Sequence, residues 1–277
     1  MAAKKKIVET IKPVEIEEHF DEMTDKDLKR AEGKIGTVSH IVIKKFPVHK
    51  ARVKLVGDSP LLVHAWSEKA KRQMLEAQQD PDPKRGKGKP KKHDIREPFT
   101  DFINAAYWVT PMPKVEGLPD AEQHKLFEQA WTNGAKFGFP VVAFKKAAAT
   151  AAWSANLITS TPFMKRLFHV HAVDGSHVGS SQELAIIKTE APPEFCEDMV
   201  KVGPSKVADL RYRPAFRDWS TEIDIELLET GSFKMEDIVN AFELGGFMNG
   251  VGEWRIEKDG EFGCFHVADV TDMGYAK

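Results

Sequence analysis

The 277-residue chain is 42% hydrophobic and 30% charged, with a formal net charge of −2. That balance excludes wholesale disorder and excludes a uniformly basic nucleic-acid magnet. No apolar run approaches the roughly 18 residues a membrane helix needs, and the N-terminus lacks the apolar stretch of a secretory signal. Cys196 and Cys264 are the only cysteines, too few for a disulfide framework or a four-cysteine zinc site, so the expectation is a reducing cytoplasm, no membrane partner, no metal and no cofactor.

Residues 1–47 are charged and carry few large apolar side chains, as expected for an N-terminal arm or extension. Residues 48–277 are read as a single domain with insertions at about 80–136 and 190–217. Within it, residues 51–57 alternate apolar and polar at period two, the mark of a half-buried strand. Asp58, Ser59 and Pro60 break the strand before Leu61-Leu62-Val63, and Ser67 is placed to cap a helix running to about Gln78. The stretch 80–98 holds prolines, glycines and a basic cluster, and is expected as an exposed loop. Apolar density returns at 99–109, and 121–131 has a short helical pattern.

Pro140 followed by the alanine-rich run predicts a helix over 141–155. Residues 167–173 and 184–188 read as two strands of a hairpin with a longer loop. Residues 194–216 read as a second loop. Residues 219–227 alternate cleanly, with Trp219, Thr221, Ile223, Ile225 and Leu227 on one face. A helix from Ser232 to Leu244 is expected to end at Gly245-Gly246, and a last strand covers 263–267 or a little more. The order suits an α+β fold, a ferredoxin-like or RRM-like βαββαβ core carrying large insertions.

Three clusters carry the chemistry of anion binding. The segment 250–267 places Gly250, Gly252, Gly260 and Gly263 around Trp254, Arg255 and Lys258. Glycine lets a backbone turn with positive φ, exposed amides can meet phosphates, and Trp254 can stack on a base. The alternative reading of the same residues is a β-hairpin with a buried Trp, and no Rossmann or Walker signature is present. From residue 84 to 96 there are seven Lys/Arg against one acid, Asp94. Of these Lys84, Arg85, Lys87, Lys89, Lys91 and Lys92 are candidates to neutralise phosphates. Arg211, Tyr212 and Arg213 mix cations with an aromatic ring, as stacking and phosphate pairing require. Among the histidines, His169 and His171 share a strand face, and His64 follows the first strand. The pair could bind a metal or act as acid and base in RNA cleavage, with His64 likewise ambiguous, but no third or fourth ligand is evident and satisfied structural or surface histidines are the favoured reading.

In chain order, three segments resemble the RAMP (repeat-associated mysterious protein) superfamily, and within it the backbone subunits of CRISPR effector complexes. They are strand 53–56 followed by Ser59-Pro60-Leu61, the helix entry Phe139-Pro140-Val141-Val142-Ala143-Phe144-Lys145-Lys146, and the glycine loop with Gly250-Val251-Gly252 and Gly260…Gly263. Where the family shows Ser-Ser, this chain has Val142-Ala143. Where it shows Gly after Lys, this chain has Lys146, and the second glycine pair is spaced by two residues. The resemblance, read as that of a phage- or plasmid-encoded relative, implies a ferredoxin-like palm, an inserted hairpin or thumb, and protomers side by side along a strand. It also implies that Lys145, Lys146 and the loop 250–263 face nucleic acid. Some family members cleave RNA with a loop aspartate, and no residue here is assigned that role.

The expectation is therefore sequence-independent binding of single-stranded DNA or RNA along its backbone, as a homo-oligomer or filament, with other subunits of a nucleoprotein complex as further partners. A RAMP-type, metal-independent ribonuclease and an interaction protein without nucleic acid are the alternatives.

Overall fold

Strand β8 (Ser220–Leu228) organises the molecule. In this computed structural model, which describes residues 46–66, 68–79, 96–174, 182–202 and 207–275, Thr221, Ile223, Ile225 and Leu227 are fully buried, as is Trp219 just before the strand. The period-two alternation of the sequence is thus a sheet with one covered face. All described residues fall in the unit Phe46–Lys277.

Strand β1 (Val48–Gly57) pairs antiparallel with β8, Val53 opposite Ile223, which sets Ala51, Val53 and Leu55 on the same buried face. Strand β4 (Phe168–Ala172) pairs with the other side of β8, and β9 (Phe265–Tyr275) with the other side of β1. The four-stranded sheet has the order β4-β8-β1-β9, every neighbour antiparallel. Helix α4 (Val141–Ser154) lies in sequence between β1 and β4, and helix α6 (Met235–Met248) between β8 and β9. Phe144, Ala148 and Ala152 of α4 and Ile238 and Phe242 of α6 share one core with the buried face of the sheet.

Gly245 and Gly246 do not end α6, as the sequence suggested, because the helix continues to Met248. Their reason is packing. A Cβ on Gly245 would lie 2.8 Å from the Ala148 backbone nitrogen, so the alanine-lined face of α4 and the glycine of α6 let two backbones approach. The roughly 1 kcal/mol that glycine costs inside a helix is offset by that contact.

Several shorter elements fill the insertions. Between β1 and α4 come β2 (Leu61–Leu62), α1 (Glu68–Gln79), α2 (Pro98–Asn104), α3 (Asp120–Thr132) and β3 (Phe137–Pro140). Helix α5 (Thr161–Leu167) precedes β4, with Ser160 capping it through the Phe163 amide. Segments 167–173 and 184–188 do not form the expected hairpin. Strand β5 (Leu184–Ile187) pairs instead with β3, while β4 joins β8. Leu184, Ala185 and Ile187 are all buried, a continuous apolar run suited to burial on both faces, whereas β4 alternates buried and exposed positions and fits the edge of a half-covered sheet.

Residues 194–216, expected as a loop, form an antiparallel hairpin of β6 (Glu194–Val202) and β7 (Val207–Phe216). Strand β6 lies largely toward solvent while β7 is continuously buried from Tyr212 to Phe216, so neither carries the sequence alternation of a half-buried strand. Its ladder is supported by cross-strand pairs such as Arg213 Nη1 to Asp198 Oδ2 at 3.2 Å. The basic segment with Lys84, Arg85, Lys87, Lys89, Lys91 and Lys92 lies outside the described residues, as do residues 1–45 and Ser67. No helix among the described residues is long and apolar enough to cross a membrane.

Candidate nucleic-acid interface

The site begins where β3 runs directly into α4. Pro140 is the N-cap, with φ −59° and no side chain capping the helix, and the Val141 amide is taken by the Glu183 carbonyl at 3.0 Å. The first turn of a helix carries amides without intrahelical partners and the positive end of its dipole. Pro140, Val142, Ala143 and Lys146 line a cleft of about 280 Å³ against that turn.

The glycine loop forms the opposite wall, with Gly250, Val251, Gly252, Glu253, Arg255 and Glu257. The two segments singled out in the sequence, about 110 residues apart, therefore meet at one cleft. The glycines have an internal reason, however. Gly252 has φ +82°, and a Cβ there would sit 2.5 Å from the Leu62 carbonyl oxygen, while the next amide, Glu253, donates to that oxygen at 2.8 Å. A Cβ on Gly263 would sit 1.7 Å from the Val251 carbonyl oxygen. These glycines bring protein backbone onto protein backbone and fold the loop on itself and on β2. Asn249 fastens it to α4, its side-chain amide donating to the Ala147 carbonyl at 3.0 Å.

Trp254 has φ +49°, a left-handed conformation that a bulky side chain adopts at a cost, and it stays 39% exposed. Its carbonyl accepts the Phe262 amide at 3.0 Å, which holds the strained turn closed.

The cations divide into committed and available groups. Arg255 is committed: Nε donates to Glu257 at 2.9 Å and Nη1 to the Gly252 carbonyl at 3.0 Å. Burial raises the Glu257 carboxyl, but Arg255, then Lys258 and Lys146, outweigh it and hold the group below its ordinary value. Lys145 points elsewhere, its ammonium 5.1 Å from the centre of the Phe168 ring, and burial with Lys165 nearby lowers its pKa. Lys146 is exposed, lines the cleft and makes no ion pair among the described residues. Lys258 is exposed on the 3₁₀ turn Ile256–Lys258.

On β7, Tyr212 is 9% exposed and packs 5.6 Å from the Phe195 ring, so it offers no open stacking face. Arg213 is 4% exposed and bound to Asp198 and Glu253. Arg211 donates from Nε to Asp209 at 2.6 Å and from Nη1 to His64 at 3.0 Å. His64 lines the cleft wall. Sequence reasoning missed Tyr107, Asn249 and Glu253, which owe their places to tertiary packing alone, and Trp66, an exposed aromatic just beyond the Ser59-Pro60-Leu61 turn.

The open face of the sheet is a different surface. Arg52 grips Asp224 through two hydrogen bonds of 2.8 and 3.0 Å, Lys50 pairs with Glu226, and Lys188 with Glu222 at 2.9 Å. His171 lies 3.3 Å from Glu183. These cations are neutralised within the protein, and the outward positions on β1, β4 and β8 hold no Phe, Tyr or Trp on which a base could stack. Among the described residues no His, Cys, Asp and Glu side chains are grouped to hold a metal ion.

No family model matches the chain, and no curated protein matches it. Among solved structures it is similar to a chain in the cryo-EM structure of the Type III-B Cmr-beta bound to cognate target RNA. The TM-score is 0.43 at 6% identity, covering 94% of this chain and 67% of that chain. A likeness at that level carries no argument about topology or activity.

Proposed function

We propose that this chain binds single-stranded nucleic acid, without reading its sequence, at the cleft between the first turn of α4 and the loop 250–263. The observation that carries the reading is convergence. A helix N-terminus without a side-chain cap and the exposed Lys146 meet the glycine loop across one cleft, and that loop carries the strained, part-exposed Trp254. Amides and an ammonium suit phosphate oxygens, and an indole suits a base of any identity. The side chains lining the cleft are balanced in charge, Lys146 and Arg255 against Glu253 and Glu257. Backbone amides and Lys146 therefore supply the attraction, and Arg255 acts by holding the loop.

In this reading the four-stranded sheet with α4 and α6 is a ferredoxin-like palm of the RAMP kind. Its support is the strand order β4-β8-β1-β9 with antiparallel neighbours and a helix after the first and third of these strands in sequence. The hairpin β6–β7 is the inserted thumb, and copies of the chain line up along one strand of nucleic acid. The basic cluster Lys84, Arg85, Lys87, Lys89, Lys91 and Lys92 clamps the strand or reaches the next copy, and Lys258 adds a phosphate contact.

The test is competition. Labelled single strands of unrelated sequence are displaced by unlabelled single strands and by duplex. The reading expects single strands of any sequence to compete alike and duplex to compete poorly. Equal competition by duplex, or no binding in low salt, contradicts it.

A further inference from the structure

His64 lines the cleft just described, and it also lines a second cavity of about 530 Å³ against the turn-proximal half of β7, with Trp66, Arg96, Asp209, Leu210 and Arg211 around it. Trp66 is 61% exposed and Leu210 42%, so this cavity offers an open aromatic face beside an aliphatic one. Its charged groups hold one another. Asp209 accepts from Arg96 at 2.6 Å and from Arg211 at 2.6 Å, and Arg96 also donates to the Leu210 carbonyl. With Asp101 also in the lining, two guanidiniums face two carboxylates. Both guanidiniums are already hydrogen-bonded within the protein, so the cavity offers a ligand its open aromatic and aliphatic faces, which suit an uncharged planar group.

The wall shared by the two cavities is incompletely paired. Arg211 can only donate, so the His64 Nε2 that receives its hydrogen bond is the ring acceptor, and a neutral imidazole then carries its hydrogen on Nδ1. That Nδ1 is buried with no partner among the described residues, as is Nε of the neighbouring Arg213. Buried donors without acceptors are costly to a folded protein, and sites that bind polar ligands are where they persist.

We propose that the second cavity is a nucleobase subsite: the strand held at Lys146 continues past His64 and lays one base on Trp66. The inference rests on the single-strand reading above and adds a place, a residue and a chemical class. Trp66 then supplies a stacking position beyond His64 on the path from Lys146.

The experiment compares wild-type protein with the Trp66→Ala and Trp66→Phe variants. Each is titrated with a single strand and with an abasic strand of equal length, which keeps the phosphates and lacks the bases. Trp66→Ala is expected to weaken binding of the base-bearing strand about tenfold and leave the abasic strand unchanged, with Trp66→Phe restoring most of the loss. A 5-bromouracil-substituted strand is expected to photo-crosslink to Trp66. Equal affinity of Trp66→Ala for the base-bearing strand, or an equal loss on both strands, overturns the subsite. Those outcomes leave the Lys146 cleft standing. Wild-type protein that binds neither strand overturns both readings.

Discussion

Arg211 donates from Nη1 to His64 Nε2 across 3.0 Å. A guanidinium has no lone pair to offer, so this hydrogen bond assigns the imidazole tautomer. Burial first, then the charges of Arg213 and Arg211, push the His64 pKa below its ordinary 6.5. Nuclear magnetic resonance of the ring nitrogens should show a neutral, Nδ1-protonated imidazole at pH values somewhat below 6.5. The sign for stability follows. Below 6.5 the unfolded chain takes up a proton that the folded chain refuses, so this residue costs stability as pH falls from there. A ring so held is a poor general base, and RNA cleavage that disappears in His64→Ala would contradict the assignment.

His49 behaves oppositely. Its Nε2 lies 2.7 Å from Asp272 and its Nδ1 3.3 Å from Glu229, and Tyr275 stacks on the ring at 4.7 Å while donating to Glu229 at 2.9 Å. Burial works against the charged ring, but the two carboxylates outweigh it and raise the pKa above 6.5. Its stabilising contribution is therefore full below 6.5 and is lost as pH rises through the raised value. The denaturation midpoint of wild type minus that of His49→Gln should shrink with rising pH. A difference that grows contradicts the clasp.

Gly252 and Gly231 form a matched pair. Both have positive φ, +82° and +83°, but a Cβ on Gly231 meets nothing within 4 Å while one on Gly252 meets the Leu62 carbonyl at 2.5 Å. Gly231→Ala should cost about 1 kcal/mol from the backbone conformation alone. Gly252→Ala should cost at least about 2 kcal/mol more, read as a lower unfolding midpoint. Equal losses would show that the loop does not depend on its seat on β2.

Trp254 separates binding from stability. Glycine relieves the positive φ of 49°, which offsets part of the side-chain packing removed. Trp254→Gly should keep its unfolding temperature within a few degrees of wild type while affinity for single strands falls about tenfold. A large fall in unfolding temperature with unchanged affinity would make Trp254 a packing residue.

The sheet was legible where physics is local. Alternation over 219–227 predicted β8 face by face, and proline followed by alanines predicted α4 nearly to the residue. The misreadings have one cause, tertiary pairing. Gly245 looks like a helix stop until Ala148 of another helix lies against it. Strand β5 looks like the partner of β4 until its double-sided burial draws it to β3. The hairpin β6–β7, largely solvated on β6 and continuously buried over Tyr212–Phe216 of β7, has no periodicity to betray it. At the site, the sequence picked out the helix entry and the glycine loop, but it could not tell that Lys145 turns to Phe168 while Lys146 lines the cleft. Nor could it tell that Arg255, Tyr212 and Arg213 are spent within the protein.

Whether Lys146 meets phosphate at the α4 N-terminus is decided by the salt dependence of single-strand affinity in wild type and Lys146→Ala. The expected result is a linear log–log plot for each protein. Removing the one ammonium that neutralises a phosphate should make the slope shallower by about 0.7 in the variant, with affinity falling several-fold at low salt. Superimposable plots for the two proteins would contradict the placement of phosphate at Lys146.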